Sequence, residues 1–119
     1  MQITKIFTFD SAHKLDWYKG KCHDLHGHTY KLEITLEGNI DKNGIVLDFN
    51  VLSDAVKANI IEKLDHKYLN DIITNPTAEN MVIWIFKQLR LHRSLRLENI
   101  NIKKIKLYET PTSFVEQTF

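Results

Sequence analysis

The chain has 119 residues, 43% of them hydrophobic, which suffices for one compact core and is too little for two, so residues 1–119 are read as a single domain. Sixteen basic residues against fifteen acidic ones leave no bulk charge that demands nucleic acid or a charged membrane surface. No apolar run approaches a membrane span, Met1 leads straight into alternating residues rather than an export signal, and the lone Cys22 cannot form an intrachain disulfide. Together these predict an unexported protein of the reducing cytoplasm.

From Gln2 to Asp10 the chain is rich in Ile, Phe and Thr and reads as a strand. A second strand over Thr29 to Glu37 alternates cleanly, with Tyr30, Leu32, Ile34 and Leu36 set against Lys31, Glu33, Thr35 and Glu37. Gly38 to Gly44 is a turn region. Asp48 or Asn50 then caps a helix whose apolar positions Leu52, Val56, Ile60 and Leu64 recur at helical spacing. Thr77 caps a second helix that reaches Leu91, and its run from Met81 to Phe86 calls for burial on two sides. Ile105 and Leu107 alternate with lysines in a third long strand, and Ser113 to Phe119 form a last one after the turn at Pro111. The order β-β-α-α-β-β predicts an α+β domain: a four-stranded antiparallel sheet with both helices on one face and a polar opposite face.

Chemistry concentrates in His13 and in the segment Lys21-Cys22-His23-Asp24-Leu25-His26-Gly27-His28. If the second strand extends back to His26, then His26 and His28 share a face with Cα atoms ~6.5–7 Å apart. Antiparallel pairing of the first two strands brings His13, just past the first strand, beside them. Three neutral imidazoles suit zinc and leave its fourth position for water or substrate, which is the catalytic arrangement. Two other readings stand beside it: Cys22 as a fourth ligand closing a structural site, or Cys22 as a buried apolar residue. The polar, basic neighbours Lys21 and His23 favour an exposed thiol over the last of these.

Asp65 and His66 follow directly on the first helix, where a helix C-terminus favours imidazolium. The pair reads either as a proton relay or as an ordinary polar helix end. Glu109 shares the odd-numbered set of Ile105 and Leu107, so its carboxylate is aimed at the apolar side if the strand continues, and there it needs a partner. A ligand with two adjacent N–H donors fits; a solvated turn residue is the alternative.

At this point the chain resembles the 6-pyruvoyltetrahydropterin synthase family over nearly its whole length, and most closely its 6-carboxytetrahydropterin branch. The landmarks are Phe9-Asp10-Ser11-Ala12-His13, Cys22 separated by three residues from His26-Gly27-His28, Val46-Leu47-Asp48-Phe49, Leu64 to Asp71, Asn75-Pro76-Thr77-Ala78-Glu79 and Tyr108-Glu109-Thr110. The resemblance implies Zn2+ on His13, His26 and His28, Cys22 as general base, Asp65 with His66 in proton transfer, Glu109 as pterin anchor and Thr77 as a further substrate contact. It also implies the tunnelling fold, in which a trimer or dimer of trimers joins sheets into a barrel. The implied reaction converts 7,8-dihydroneopterin triphosphate to 6-carboxy-5,6,7,8-tetrahydropterin, toward queuosine and related deazapurines. The three-residue interval between Cys22 and His26 is what resembles the carboxy branch; a longer interval marks the pyruvoyl branch.

Overall fold

The computed structural model describes residues 1–95 and 99–119. Strands β1 (Gln2–His13) and β2 (His26–Gly38) pair antiparallel along their whole length, from Gln2 opposite Glu37 to His13 opposite His26. Both run further than the alternation alone predicts: His13 is the last residue of β1 rather than a loop residue, and His26 opens β2. The ladder supplies the reason, because once Asp10 pairs with Thr29 the next three residue pairs complete it.

The first helical rod begins at Phe49, where the Asp48 carboxylate accepts the Asn50 N–H at 2.7 Å. It runs as α1 (Phe49–Val56), widens into a π-helical stretch over Lys57–Ile61 and closes with one turn, α2 (Glu62–Leu64). A two-residue strand, β3 (Lys67–Tyr68), then lies parallel to β1 at Ser11 and Ala12. It makes the sheet five-stranded, one more than predicted, and nothing in a dipeptide's composition could have signalled it. The second rod, α3 (Ala78–Leu89), is capped by the Thr77 hydroxyl accepting the Asn80 N–H at 3.2 Å. Strands β4 (Ile100–Thr110) and β5 (Ser113–Thr118) complete the order β3-β1-β2-β4-β5. A bulge at Lys103, between the pairs Thr35–Lys104 and Leu36–Ile102, keeps Ile102 packed against the core.

One sheet face carries Phe7, Phe9, Tyr30, Leu32, Ile34, Leu36, Ile105 and Leu107, all buried against Leu52, Val56, Ile60, Leu64, Met81, Val82, Ile85 and Leu89 of the rods. The expected apolar run of α3 is buried on one side only, since Ile83 remains half exposed. The opposite sheet face is polar except at places such as Ile6 and Phe114. Thr35, expected there in solvent, is buried and exchanges a 2.8 Å hydrogen bond with Thr4. Among the described residues no helix is long and apolar enough to cross a membrane.

Candidate metal centre and flanking clefts

The pairing that sets the core also gathers the histidines. His13 lies directly opposite His26, and His28 sits two residues along on the same face, so ring centroids fall 4.6, 4.8 and 5.1 Å apart. One nitrogen from each imidazole joins a set whose members all lie within 4.8 Å of one another. Two neighbouring carbonyls fix the tautomers. His13 Nδ1 is 2.8 Å from the Pro76 carbonyl oxygen and His26 Nδ1 is 2.7 Å from that of Asp24. A carbonyl only accepts, so each Nδ1 carries the hydrogen and each Nε2 is left as a bare lone pair. Those two Nε2 atoms face each other at 3.0 Å. His28 Nε2 is buried without a hydrogen-bond partner among the described residues. Two bare nitrogens converging beside the buried Nε2 of His28 make a set that a cation would complete, and backbone carbonyls behind the His13 and His26 rings are the usual way to orient such ligands.

Burial lowers the His28 pKa below its ordinary 6.5, as do the neighbouring His13 and His26, while Glu109 opposes them. The Glu109 carboxylate reaches within 3.8 Å of His28 Nε2, from the strand face that its parity predicted. Tyr30 lies fully buried beneath the cluster, stacked on Phe9 at 5.0 Å, and its hydroxyl has no partner among the described residues; burial and Glu109 push its pKa up.

Cys22 sits half-buried in a short 3₁₀ turn, Lys21–His23, and its carbonyl accepts the Leu15 N–H at 3.0 Å, closing the loop after β1. Asn70 clamps the root of that loop through both its amide groups to the Lys14 backbone, at 3.0 and 2.9 Å. The Cys22 sulfur is not among the converging ligand atoms.

On the β3 side, His66 occupies the left-handed region at φ 56°, held there by its N–H to the Asp10 carbonyl at 2.6 Å. Its Nδ1 lies 3.0 Å from Asp65 Oδ1, which also accepts the Asp10 N–H at 3.0 Å. The Asp10 amide first, and the His66 side chain next, hold the Asp65 carboxyl below its usual range. A fixed carboxylate thereby orients an exposed imidazole, the geometry of a relay. Asp10 belongs to this group, and sequence reasoning placed it only in a landmark; its Oδ1 accepts the Thr29 hydroxyl at 2.5 Å.

Two clefts meet at the start of β2. One, of about 470 Å³, is lined by Asp10, Ser11, Ala12, His66 and Lys67 together with residues 27–29. The other, of about 480 Å³, is lined by Lys31, Tyr108, Glu109, Thr110 and Pro111 with the same residues 27–29. Thr77 lines neither; its hydroxyl oxygen caps α3, next to the Pro76 carbonyl that orients His13. The carbonyls of Asp24 and Pro76 and the amide of Asn70 were beyond sequence reasoning, since a backbone acceptor leaves no mark in composition.

A mainly antiparallel sheet backed by two helical rods, with three imidazoles converging at one end and a carboxylate beside them, defines a small α+β protein built around a candidate metal site. Residues 2–118 match the family described as 6-pyruvoyl tetrahydropterin synthase, and the chain belongs to that family. It is 36% identical over 141 residues to a 6-carboxy-5,6,7,8-tetrahydropterin synthase of Haemophilus influenzae, covering 97% of this chain and 96% of that one. It is 37% identical over 105 residues to a dihydroneopterin monophosphate aldolase of Pyrococcus furiosus, covering 86% and 83%. The solved 6-pyruvoyl tetrahydropterin synthase of Caenorhabditis elegans superposes with a TM-score of 0.84 at 24% identity, covering 100% of this chain and 95% of that one. The fold is therefore the tunnelling fold.

Proposed function

We propose that this chain is a zinc-dependent 6-carboxy-5,6,7,8-tetrahydropterin synthase, a carbon–carbon lyase acting on 7,8-dihydroneopterin triphosphate. The observation that carries the reading is the convergence of one ring nitrogen from each of His13, His26 and His28, with Cys22 left out of the set. Three imidazoles without a thiolate leave a coordination position open, which suits chemistry better than scaffolding and speaks against a closed structural zinc site.

Each residue then has a task. Glu109 anchors the amino-pyrimidinone edge of the pterin by accepting its adjacent N–H groups, a charge-assisted pair that fixes the ring. Bound zinc would supply Lewis acidity to the side-chain hydroxyls of the substrate. The Cys22 thiolate takes a proton from the substrate side chain, and His66, held by Asp65, carries protons to and from the leaving fragment. Thr77 serves through the α3 N-terminus it caps, next to the carbonyl that orients His13. The overall change balances with one water: the C1′ carbon is oxidised to carboxylate while the ring is reduced from dihydro to tetrahydro. The C1′–C2′ bond breaks, and triphosphate and acetaldehyde leave. No external oxidant or nicotinamide is needed.

The carboxy branch is favoured by the three-residue interval from Cys22 to His26 and by the Haemophilus relative. An aldolase acting on dihydroneopterin monophosphate is the second reading, favoured by the Pyrococcus relative at comparable identity. Elimination of triphosphate alone, as in pyruvoyl synthases, is the third. Offering zinc-loaded protein both the triphosphate and the monophosphate and identifying the products by mass separates the three. In the cell we place the protein in the cytoplasm as a single-domain subunit of a homo-oligomer, a trimer or dimer of trimers, feeding queuosine or deazapurine synthesis, with no nucleic-acid or membrane partner.

A further inference from the structure

Cys22 lies in the connection between β1 and β2, which Asn70 holds at its root through the Lys14 backbone. Its neck is closed by its own main chain: the Leu15 N–H donates to the Cys22 carbonyl and the Tyr18 N–H to that of Leu15, each at 3.0 Å. Two aromatic residues, Trp17 and Tyr18, stand in this turn among Lys14, Asp16, Lys19 and Lys21. An indole usually fills a core, yet Trp17 is 60% exposed and its ring meets that of Tyr18 edge-on at 5.7 Å, so burial does not explain it. Its N–H does, because it donates to Asn75 Oδ1 at 2.6 Å, across 58 residues of sequence. Among the described residues, no other hydrogen bond or ion pair joins residues 15–23 to the chain outside this connection.

The receiving residue is fixed by bonds of its own. Asn75 sits in the left-handed region at φ 50°, which asparagine tolerates, and its carbonyl accepts the Thr77 N–H and the Asn80 side-chain amide, each at 2.8 Å. The next residue, buried Pro76, orients His13 through its carbonyl at 2.8 Å, and Thr77 caps α3. Asn75 thus belongs to the block that aims one imidazole of the metal site, and its side-chain oxygen is where the Cys22 loop is tied to that block. An exposed hydrogen bond adds little to the stability of a whole chain, but a lone tie at a loop tip sets how often the loop opens. We infer that Trp17 and Asn75 are positioning residues: their bond is a latch that holds the Cys22 thiol in a fixed place relative to His13 and the three-histidine site. The inference rests on the reading of Cys22 as the base, which needs the thiol within reach of a substrate proton while the metal holds that substrate.

The test uses the full-length, zinc-loaded protein and three single variants. Trp17→Phe keeps a ring and removes the donor, Asn75→Gly keeps the left-handed backbone and removes the acceptor, and Asn75→Asp keeps an acceptor oxygen. Two readouts are taken: the rate at which iodoacetamide alkylates Cys22, the lone thiol of the chain, and kcat and KM on 7,8-dihydroneopterin triphosphate. Trp17→Phe and Asn75→Gly should each speed alkylation and lower kcat by about two- to tenfold, the worth of one hydrogen bond, with KM and zinc per chain unchanged. Asn75→Asp should stay close to the wild type in both readouts. The double variant Trp17→Phe/Asn75→Gly should change no more than either single one, since both remove the same bond. Wild-type alkylation in both donor and acceptor variants, or a double variant in which their effects add, overturns the inference. Faster alkylation with unchanged kcat overturns it as well, because the loop would then be held without consequence for the base, and zinc loss in Trp17→Phe overturns it by assigning the bond to the metal. If the wild type does not turn over the triphosphate, the lyase reading fails by itself and the alkylation rates still decide whether the latch exists.

Discussion

His13 Nε2 lies 3.0 Å from His26 Nε2, although the Nδ1 hydrogen of each ring is committed to a carbonyl, of Pro76 and of Asp24. Two lone pairs held this close repel unless a cation sits with them, so metal removal is expected to loosen this end of the sheet. Chelation should lower the thermal midpoint of the wild type and leave that of His13→Ala nearly unmoved. Acidification should act in the same direction. The folded-state pKa of His28 is depressed below 6.5, so its stabilising and ligating contribution is complete above that value and is lost as pH falls through the lower, folded-state one. Zinc titrations at successively lower pH check both points.

Cys22 lies outside the ligand set, and its substitution separates base from ligand. Cys22→Ala should keep one zinc per chain and a wild-type thermal midpoint while turnover falls by about 10²- to 10⁴-fold, the usual worth of a positioned base. Zinc loss in that variant would transfer Cys22 to the metal.

Glu109 approaches His28 within 3.8 Å and borders the β4-side cleft. Glu109→Gln keeps the shape and removes the charge, so neopterin binding should weaken by about 10- to 100-fold, the worth of a charge-assisted hydrogen bond. Fluorescence titration reads this directly; equal affinities would detach Glu109 from the ligand.

Tyr30 is fully buried and its hydroxyl has no partner among the described residues, a burden of about 1–3 kcal/mol that phenylalanine lacks. Tyr30→Phe should therefore leave the ligand-free protein as stable as the wild type or more so by about 1 kcal/mol in denaturant unfolding. A marked loss of stability would mean that the hydroxyl has a partner, such as a buried water.

Much of this arrangement is legible in the amino-acid sequence. The alternation from Tyr30 to Leu36 fixed which face of β2 is apolar, and the same parity carried back to His28 and His26 because side chains repeat every two residues. The parity of Ile105 and Leu107 likewise aimed Glu109 correctly. What stayed hidden has no pattern to read. The strand β3 is two residues long, the widening of the first rod at Lys57–Ile61 breaks no apolar repeat, and the acceptors that set the His13 and His26 tautomers are main-chain atoms. Asp10 joined Asp65 and His66 only through a contact spanning 55 residues, which periodicity cannot see.

Zinc-loaded protein incubated with 7,8-dihydroneopterin triphosphate should release acetaldehyde and triphosphate in equal amounts as 6-carboxytetrahydropterin accumulates, read by mass spectrometry and an aldehyde-coupled assay. Triphosphate release with all three side-chain carbons retained on the pterin, or turnover confined to the monophosphate, would contradict the account.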